Sequence, residues 1–255
     1  MAQANNPDNI YATYQQKIEE FSFDQNVAAV FSDMIKRSVP GYENIITMIG
    51  VFTQAHAQNN TNCYDLGCSL GASTLSIMSN LFDKSCPVIA VDNSPAMVER
   101  CEKNIEKTGL RGEYRVICDD IRNITMENAS VIVLNFTLQF IPAEQRANLL
   151  KKIADALVPG GILVMSEKIE FAEPAKNALM IELHHAFKKA QGYSDLEISQ
   201  KRTALENVLI PEEEEIHLNR LKQAGFSRCD VWFRCLNFAS FYAVKWLNTT
   251  LYLRN

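Results

Sequence analysis

Residues 62–166 alternate between two patterns of hydrophobic and polar positions. Short continuous apolar runs, such as Val88-Ile89-Ala90-Val91, end at a polar residue, and stretches with apolar residues three and four positions apart follow them. The runs predict strands buried on both faces of a parallel sheet, and the wider spacing predicts helices. Repeated strand–helix order with short connections predicts right-handed crossovers and one doubly wound α/β sheet. The predicted strands are 63–66, 88–91, 114–118, 130–134 and 162–166.

Helices are predicted before the first strand. Residues 1–20 are expected to form a loosely held arm, after which an amphipathic helix ends near Ser38. A second helix is expected to begin at Pro40, because proline suits the first helical turn. Tyr42 lies on the apolar stripe of this second helix, so we expect its ring to face the body of the protein.

The segment 172–210 interrupts the alternation with two consecutive helices. The first is predicted from about residue 174 to 190, and the second begins at Ser194, which forms a capping box with Glu197. We expect this insertion to cover the edge of the sheet where the parallel strands end. The apolar positions of its first helix share one face: Met180, Leu183 and Phe187.

The remainder of the chain predicts one more helix and two strands. The helix is expected to begin at Pro211 with acidic residues in its first turn, as the helix dipole favours, and to end at Gly225. Strands at 231–233 and 241–244 would complete a seven-stranded, mostly parallel sheet. We therefore expect a single domain over 1–255, divided into a helical cap (20–60), a core (62–170), the insertion (172–210), the last strands (226–245) and a tail of open role (246–255).

Length and charge limit the classes of function. The chain has 255 residues, 47% of them hydrophobic, and a net charge of −5 from 30 acids against 25 Lys and Arg. Basic residues are not gathered in a block, which argues against direct binding of a nucleic acid. The first ten residues lack an apolar leader, and no run approaches the ~18 apolar residues of a membrane span. We expect a soluble, cytoplasmic protein.

The sequence predicts no metal centre and no hydrolase site. Its seven cysteines are an odd number without C-x-x-C spacing, so free thiols in a reducing compartment are expected. His184 and His185 are adjacent and point about 100° apart on a helix, which disfavours a shared metal. The chain has no H-E-x-x-H motif and no phosphate-binding P-loop.

The turn after the first predicted strand points to the ligand. Gly67 and Gly71 lack a Cβ, so the backbone can turn sharply and approach a bound molecule closely. The turn is not the G-x-G-x-x-G of dinucleotide sites, because Ser69 replaces the middle glycine and Asp65 adds a negative charge. A cation fits better, which favours S-adenosylmethionine, with its sulfonium and ammonium, on a Rossmann-like methyltransferase-type fold.

Asp92 follows the second predicted strand, where a carboxylate can accept hydrogen bonds from both ribose hydroxyls. Capping of the next helix is the alternative role for such an acid, although Ser94 is also placed to cap it. Asp92 therefore strengthens the prediction of a nucleoside site.

The next two strand ends carry further polar residues. Asp120 can accept from the adenine amino group, with the backbone amide of Ile121 donating to the ring, although Asp119 competes for this role. Asn135 can contact the methionine end of the ligand or can simply terminate its strand. Ligands of open α/β sheets bind beyond the carboxyl ends of the strands, where all these residues are expected.

Arg202 lies on the apolar stripe of its predicted helix, together with Ile198 and Leu205. A guanidinium in that position must meet an anion or reach the solvent, since a buried unpaired charge is too costly. An ion pair with Glu206, four residues on, is one explanation. The other is a bidentate contact with a substrate carboxylate.

Five phrases of the sequence closely resemble the bacterial carboxy-S-adenosyl-L-methionine synthases, over roughly residues 20–245. The phrases around Asn135 and Arg202 are much more specific than the glycine turn. The five are Val39-Pro40-Gly41-Tyr42, Asp65-Leu66-Gly67-Cys68-Ser69, Asp92-Asn93-Ser94, Asn135-Phe136-Thr137-Leu138-Gln139-Phe140 and Ser199-Gln200-Lys201-Arg202-Thr203-Ala204-Leu205-Glu206-Asn207.

The resemblance implies a homodimeric enzyme with the class I methyltransferase fold. It implies that S-adenosylmethionine and prephenate are converted to carboxy-S-adenosylmethionine and phenylpyruvate. It also implies a functional partner, a tRNA carboxymethyltransferase that uses the product on a wobble uridine. Arg202 would act on the transferred carboxylate. The ligand-contacting set implied by the family is Tyr42, Gly67, Cys68, Ser69, Asp92, Asn93, Asp120, Ile121, Asn135 and Arg202.

The implied chemistry agrees with a cation near the reacting methyl group. Carboxyl transfer requires a carbanion beside the sulfonium and carbon dioxide released as the prephenate ring aromatises, and Arg202 would hold the new carboxylate. An ordinary small-molecule methyltransferase and a non-catalytic S-adenosylmethionine-binding subunit of a tRNA-modifying complex remain the alternatives. Candidates to bind the prephenate carboxylates are Arg202, Lys201 and Arg37, and the leaving group of prephenate can itself serve as the base.

Overall fold

The computed structural model describes residues 6–82 and 84–246. The helices are α1 (Gln25–Ser38), α2 (Tyr42–His56), α3 (Ala72–Asn80), α4 (Pro95–Thr108), α5 (Ala143–Ala156), α6 (Pro174–Ala190), α7 (Asp195–Leu205) and α8 (Glu214–Ala224). The strands are β1 (Asn62–Leu66), β2 (Val88–Asp92), β3 (Tyr114–Cys118), β4 (Ala129–Asn135), β5 (Leu157–Glu170), β6 (Glu212–Glu213), β7 (Phe226–Cys235) and β8 (Phe238–Lys245).

These strands form one doubly wound sheet, as predicted. The order is β3-β2-β1-β4-β5-β8-β7, with parallel pairing from β3 to β5 and antiparallel pairing of β8 with its two neighbours. The two-residue strand β6 pairs with β5 outside this path. The chain reverses its direction of strand addition at β1, so the carboxyl ends of β1, β2 and β4 meet at the switch point where ligands bind in such sheets.

Two apolar layers hold the sheet. One joins it to α5 and α8 through residues such as Leu150 and Leu221, and the other joins it to α2, α3 and α4 through residues such as Ile49, Ile77 and Ile105. β4 is buried from Ala129 to Leu134. This burial on both faces explains why the predicted strands consist of continuous apolar runs.

The arm is held more firmly than the sequence suggested. Tyr11 is buried with α1 and α4. Gln200 of α7 accepts from the Gln15 amide at 2.7 Å and donates to the carbonyl groups of Tyr11 and Thr13 at 2.9 Å each. The prediction of a loose arm is therefore wrong for residues 6–20. The predicted tail lies outside the described residues, except for residue 246.

Three predicted boundaries are also wrong. α2 begins at Tyr42 rather than at Pro40, because Gly41 occupies its N-cap with φ +77. β5 runs from Leu157 to Glu170 rather than over the predicted 162–166, because it includes Pro159, Gly160 and Gly161. The carboxylate of Glu212 is bound by Arg146, whose side chain is fully buried, and by Arg220. These contacts hold residues 212–213 as a strand, so α8 begins at Glu214.

No helix among the described residues has the length and apolar character needed to cross a membrane.

Candidate active site

The glycine turn between β1 and α3 is fastened to β2. The amides of Gly67 and Cys68 donate to the carbonyl oxygen of Val91 at 2.8 and 2.9 Å. Gly67 has φ +84, and a Cβ there would lie 2.3 Å from Thr137 Oγ1. Ser69 is also left-handed, with φ +49. The turn therefore requires glycine at 67 for its backbone conformation and for its close approach to the loop after β4.

Asp65 lies directly beneath this turn and is fully buried. Its Oδ2 accepts from Thr74 Oγ1 at 2.6 Å, and its Oδ1 has no hydrogen-bond partner among the described residues. Burial raises the pKa of this carboxyl to about 7, against an ordinary 3.8. A buried acceptor without a donor costs free energy, and a bound cationic or N–H group would remove that cost.

Asp92 ends β2 and organises the loop around itself. Its Oδ2 accepts from the Ser69 amide and its Oδ1 from the Ser94 amide, both at 2.9 Å. Capping of α4 falls to Ser94, whose side chain accepts from the Met97 amide. Each Asp92 oxygen keeps a lone pair that can accept from a ribose hydroxyl. Asn93, beside it, is exposed.

Asn135 ends β4 on the other side of the turn. Its Nδ2 donates to Ser73 Oγ at 3.2 Å, and its buried Oδ1 has no partner in the part of the chain that the structure describes. Tyr42 lies close by, with its ring 6.4 Å from that of Phe136. Burial, together with the charge of Asp65, raises the pKa of Tyr42, which keeps its hydroxyl protonated. The site therefore brings two unsatisfied acceptors and a phenol together.

Asp120 and Ile121 follow β3, next to β2. The backbone links the two strand ends, since the Asp119 amide donates to the Asp92 carbonyl at 3.1 Å. Both oxygens of Asp120 accept from Arg122 Nε, at 2.8 and 3.0 Å, and this contact lowers the pKa of the carboxyl. An adenine amino group would share Asp120 with that guanidinium. Ile121 is buried in the core.

Arg202 is exposed, so the prediction that it lies on the buried stripe of its helix is wrong. The stripe of α7 that faces the chain contains Ile198, Gln200, Lys201 and Ala204 instead. The reason is that the arm covers this face and supplies polar backbone groups, which Gln200 satisfies. Arg202 makes no ion pair with Glu206 or with any other described residue. On α6, burial and the nearby charges of Lys188 and Arg202 lower the pKa of His185.

Glu167 is a positioning residue that the sequence patterns did not indicate. It is fully buried near the carboxyl end of β5, and its two oxygens accept from the amides of Leu138 and Gln139 at 3.0 and 2.8 Å. Burial raises its pKa to about 8. Glu167 therefore holds the short 3-10 turn Leu138–Phe140, which follows Asn135. The available signal was an acid directly after the predicted strand 162–166.

Binding of a cation at Asp65 is expected to release protons. At pH 7 the carboxyl is about half protonated in the ligand-free protein, and a bound cation lowers its pKa, so about half a proton leaves per site. This release should fade both below about pH 5 and above about pH 9. Titration calorimetry with S-adenosylmethionine in buffers of different ionisation enthalpy measures it.

The matched variant is Asp65→Asn, which should release no proton from this position. Equal proton release by the two proteins would contradict the assignment.

No group of His, Cys, Asp and Glu among the described residues has the arrangement of a metal site. A methyltransferase domain model matches residues 64–161. Among solved structures, the fold is similar to an O-methyltransferase family protein of Burkholderia thailandensis (TM-score 0.62, 15% identity, 91% of this chain and 66% of that one). It is also similar to human N-acetylserotonin methyltransferase (TM-score 0.57, 14% identity, 87% and 55%). These likenesses concern the fold.

Relatives found by sequence point to a narrower family, and three of them are named carboxy-S-adenosyl-L-methionine synthase. The relative from Trichlorobacter lovleyi is 55% identical, with 93% of this chain and 98% of that protein covered. Those from Vibrio campbellii and Hahella chejuensis are each 53% identical, covering 94% and 95% of this chain and 98% and 100% of those proteins. The chain belongs to the carboxy-S-adenosyl-L-methionine synthase family. This membership agrees with the resemblance and with the predicted fold.

Proposed function

We propose that this family member converts S-adenosylmethionine and prephenate to carboxy-S-adenosylmethionine, phenylpyruvate and water. The proposal rests on sequence identity: this chain is 55% and 53% identical to two synthases of that name over nearly its full length. The site supports it with two buried acceptors, on Asp65 and Asn135, that lack donors among the described residues. Such acceptors suit the cationic methionine end of S-adenosylmethionine, which is here a substrate.

The reaction balances without an external oxidant or base. The ring–carboxylate bond of prephenate breaks and releases carbon dioxide, while the ring hydroxyl departs and the ring aromatises to phenylpyruvate. The departing hydroxide takes one proton from the sulfonium methyl group and becomes water. The resulting methyl carbon then forms a bond to carbon dioxide. The sulfonium stabilises the negative charge at this carbon, so the protein's task is to hold both substrates together and exclude water.

The predicted site residues divide this task. Asp92 would bind the ribose hydroxyls, and Asp120 with the Ile121 amide would bind the adenine. The turn formed by Gly67, Cys68 and Ser69 would follow the nucleoside closely. Asn93, next to Asp92, would lie at the nucleoside. The methionine end and the reacting methyl group would lie near the remaining members of the set, Tyr42, Asn135 and Arg202.

A homodimer accounts for the exposed apolar residues of the insertion. α6 buries His184 and Lys188 against the chain, and its predicted apolar face is left open, with Leu183 41% exposed. Leu179 and Ile181 beside it are exposed as well. A second copy covering α6 would bury these side chains, at roughly 25 cal/mol per Å² of apolar area. We propose that 172–210 serves as both lid and contact surface.

The product would leave for another enzyme. Carboxy-S-adenosylmethionine carries an activated carboxymethyl group, which a tRNA carboxymethyltransferase would place on a wobble uridine in the cytoplasm. The net charge of −5 argues that the present chain itself does not bind the tRNA.

Mass spectrometry of the adenosyl product tests the function. Incubation of the purified protein with both substrates should add the mass of one carbon dioxide to S-adenosylmethionine and form phenylpyruvate. Appearance of S-adenosylhomocysteine alone would mean methyl transfer, and recovery of unchanged S-adenosylmethionine would mean a binding subunit. Either result would refute the proposed reaction.

Arg202→Ala is expected to weaken binding of the carboxylated product about 10-fold or more, because a charge-assisted contact to the new carboxylate is lost. S-adenosylmethionine has no carboxylate at that position, so its affinity should change less than about twofold. Calorimetric titration with each nucleoside measures the difference. Thr203→Ala, a change at the neighbouring exposed position, should affect neither ligand, and equal losses for both ligands in Arg202→Ala would rule out the role.

A further inference from the structure

Lys188 of α6 is a buried lysine without a counterion among the described residues. It is 8% exposed, and its ammonium makes no hydrogen bond or ion pair with any residue that the structure describes. Burying most of a lysine without such partners disfavours its charged form, and an anion supplied by a ligand would stabilise that form. Lys188 therefore marks a position where a negatively charged group is expected.

Lys168 brings a second ammonium to the same region. It lies near the carboxyl end of β5, and its Nζ likewise has no hydrogen bond or ion pair among the described residues. Its Cα is paired in register with that of Phe238 in β8. The ring of Phe238 lies 4.9 Å from that of His184, one helical turn before Lys188. The two lysines thus flank one histidine–phenylalanine contact.

The other groups near Lys188 are already neutralised or neutral. Lys201 pairs with Asp8 at 3.4 Å and donates to Ser38 Oγ at 3.1 Å. The same Asp8 also accepts a hydrogen bond from the hydroxyl of Tyr193, so Asp8 already has two partners and makes no ion pair with Lys188. His184 Nε2 donates to the Ser38 carbonyl at 2.8 Å, and burial lowers its pKa to about 3, so it is uncharged.

Arg37, which the sequence offered as a candidate to bind a substrate carboxylate, also has its partners within the chain. It pairs with Asp33 at 3.0 Å, donates to the Gln191 carbonyl at 2.8 Å and stacks over Tyr193 at 3.8 Å. Lys168 and Lys188 are therefore the ammonium groups of this region whose charge is left over.

A row of aromatic rings joins these lysines to the nucleoside site. The ring of Phe238 lies 6.0 Å from that of Phe136, which lies 6.4 Å from that of Tyr42. Tyr42 in turn is close enough to Asp65 for its pKa to respond to that charge. Phe238 and Phe136 are buried in the core, and Tyr42 is partly exposed. An anion held at the lysines with its apolar part directed toward Tyr42 would thus lie next to the methionine end of the other substrate.

We propose that Lys188 and Lys168 bind the two carboxylates of the dianionic substrate, with its six-membered ring directed toward Tyr42. This assignment rests on the proposed function and names the anion subsite of that same reaction. Two ammonium groups match two carboxylates, and Tyr42, the least buried of the three rings, lies on the side of the methionine end. Each charged contact in such a desolvated site contributes more than a similar contact in water.

The protonation of Lys188 supports this subsite. Burial and the neighbouring charges of Lys201 and Lys168 lower its pKa to about 7, while Asp8 acts in the opposite direction. A bound dianion raises that pKa again, so binding near pH 8 takes up protons. A lysine with a merely structural role would show no such uptake.

The test uses 2-phenylglutarate, an aromatic dicarboxylate that has the carboxylate spacing of prephenate and cannot aromatise. Its affinity for the full-length protein saturated with S-adenosylhomocysteine is measured by calorimetry. Lys188→Met and Lys168→Met should each lower this affinity about 10-fold or more, because a charged contact is lost. The proton uptake at pH 8 should disappear in Lys188→Met.

Lys189→Met is the matched control. This neighbouring lysine is half exposed and pairs with Asp195, so its loss should change the affinity less than about twofold. Lys188→Met should fold, since methionine removes a buried charge at similar length, and its thermal midpoint should equal or exceed that of the wild type. In assays with prephenate, the KM for prephenate should rise at least about 10-fold while the affinity for S-adenosylmethionine stays the same.

Equal binding of the probe by the wild type and both lysine variants would overturn the subsite. Lysine-dependent probe binding by a protein that forms no carboxylated product would establish the anion subsite and refute the proposed reaction. The two proposals therefore fail by different measurements.

Discussion

Asp92→Ala is expected to lower the affinity for S-adenosylmethionine about 100-fold, because two hydrogen bonds from ribose hydroxyls to a carboxylate are lost. The same change frees the Ser69 and Ser94 amides, which Asp92 holds at 2.9 Å, so the glycine turn loses one of its contacts with β2. Titration calorimetry of the purified variant measures the affinity. The effect is large because one side chain both binds the ligand and holds the loop.

Asp92→Asn should be almost as damaging. Both carboxylate oxygens accept from backbone N–H groups, so the NH₂ of asparagine would face a donor on one side. Asp119→Ala is the control, because the Oδ1 of Asp119 accepts from its own loop, from the Asp120 amide at 2.7 Å. An unchanged affinity in Asp92→Ala would remove the carboxylate from the nucleoside site. A large loss in Asp119→Ala would transfer the adenine role from Asp120 to its neighbour.

Gly67→Ala is the second large effect. The new Cβ would lie 2.3 Å from Thr137 Oγ1, so the turn or the loop after β4 must move by about 1 Å, and a misplacement of that size in a site costs about 100-fold in kcat/KM. The φ of +84 adds backbone strain, and the free energy of unfolding should fall by about 1–3 kcal/mol. Product formation and urea denaturation measure the two effects.

Gly109→Ala separates strain from collision. Gly109 also has a positive φ, +65, but a Cβ there would meet nothing within 4 Å. This variant should lose about 1 kcal/mol of stability and keep its kcat/KM. If Gly67→Ala retained full activity, the close approach of the turn to Thr137 would have no part in the site.

The polar residues at the strand ends show what sequence patterns can predict. Asp65, Asp92 and Asn135 each follow a short apolar run, and the parallel register of β1, β2 and β4 brings them to one edge, as expected. The pattern could not show that Arg122 holds Asp120, since that contact depends on side-chain directions in a loop. It also could not show Glu167, because an acid inside a buried strand is explained by the amide groups that meet it in three dimensions.

Arg202 and Lys188 show the limit more clearly. Helical spacing indicates which residues of a helix lie near one another, but it does not show which face another segment covers. The arm covers the face of α7 that contains Gln200 and leaves Arg202 exposed. α6 turns Lys188 inward and leaves the apolar Leu183 largely exposed. Burial of these side chains is set by contacts between distant parts of the chain.

The sequence alone therefore determined the parallel sheet, the glycine turn after its first strand and the family resemblance, because strand patterns, turn glycines and short phrases are local signals. The tertiary structure decided which charged side chains are buried, paired or left without a counterion. Those outcomes depend on packing between residues as far apart as Asp8 and Lys201, whose ion pair no local pattern contains. The inferred anion subsite follows from that second kind of information, since a lysine becomes informative only when its burial and its missing partner are known.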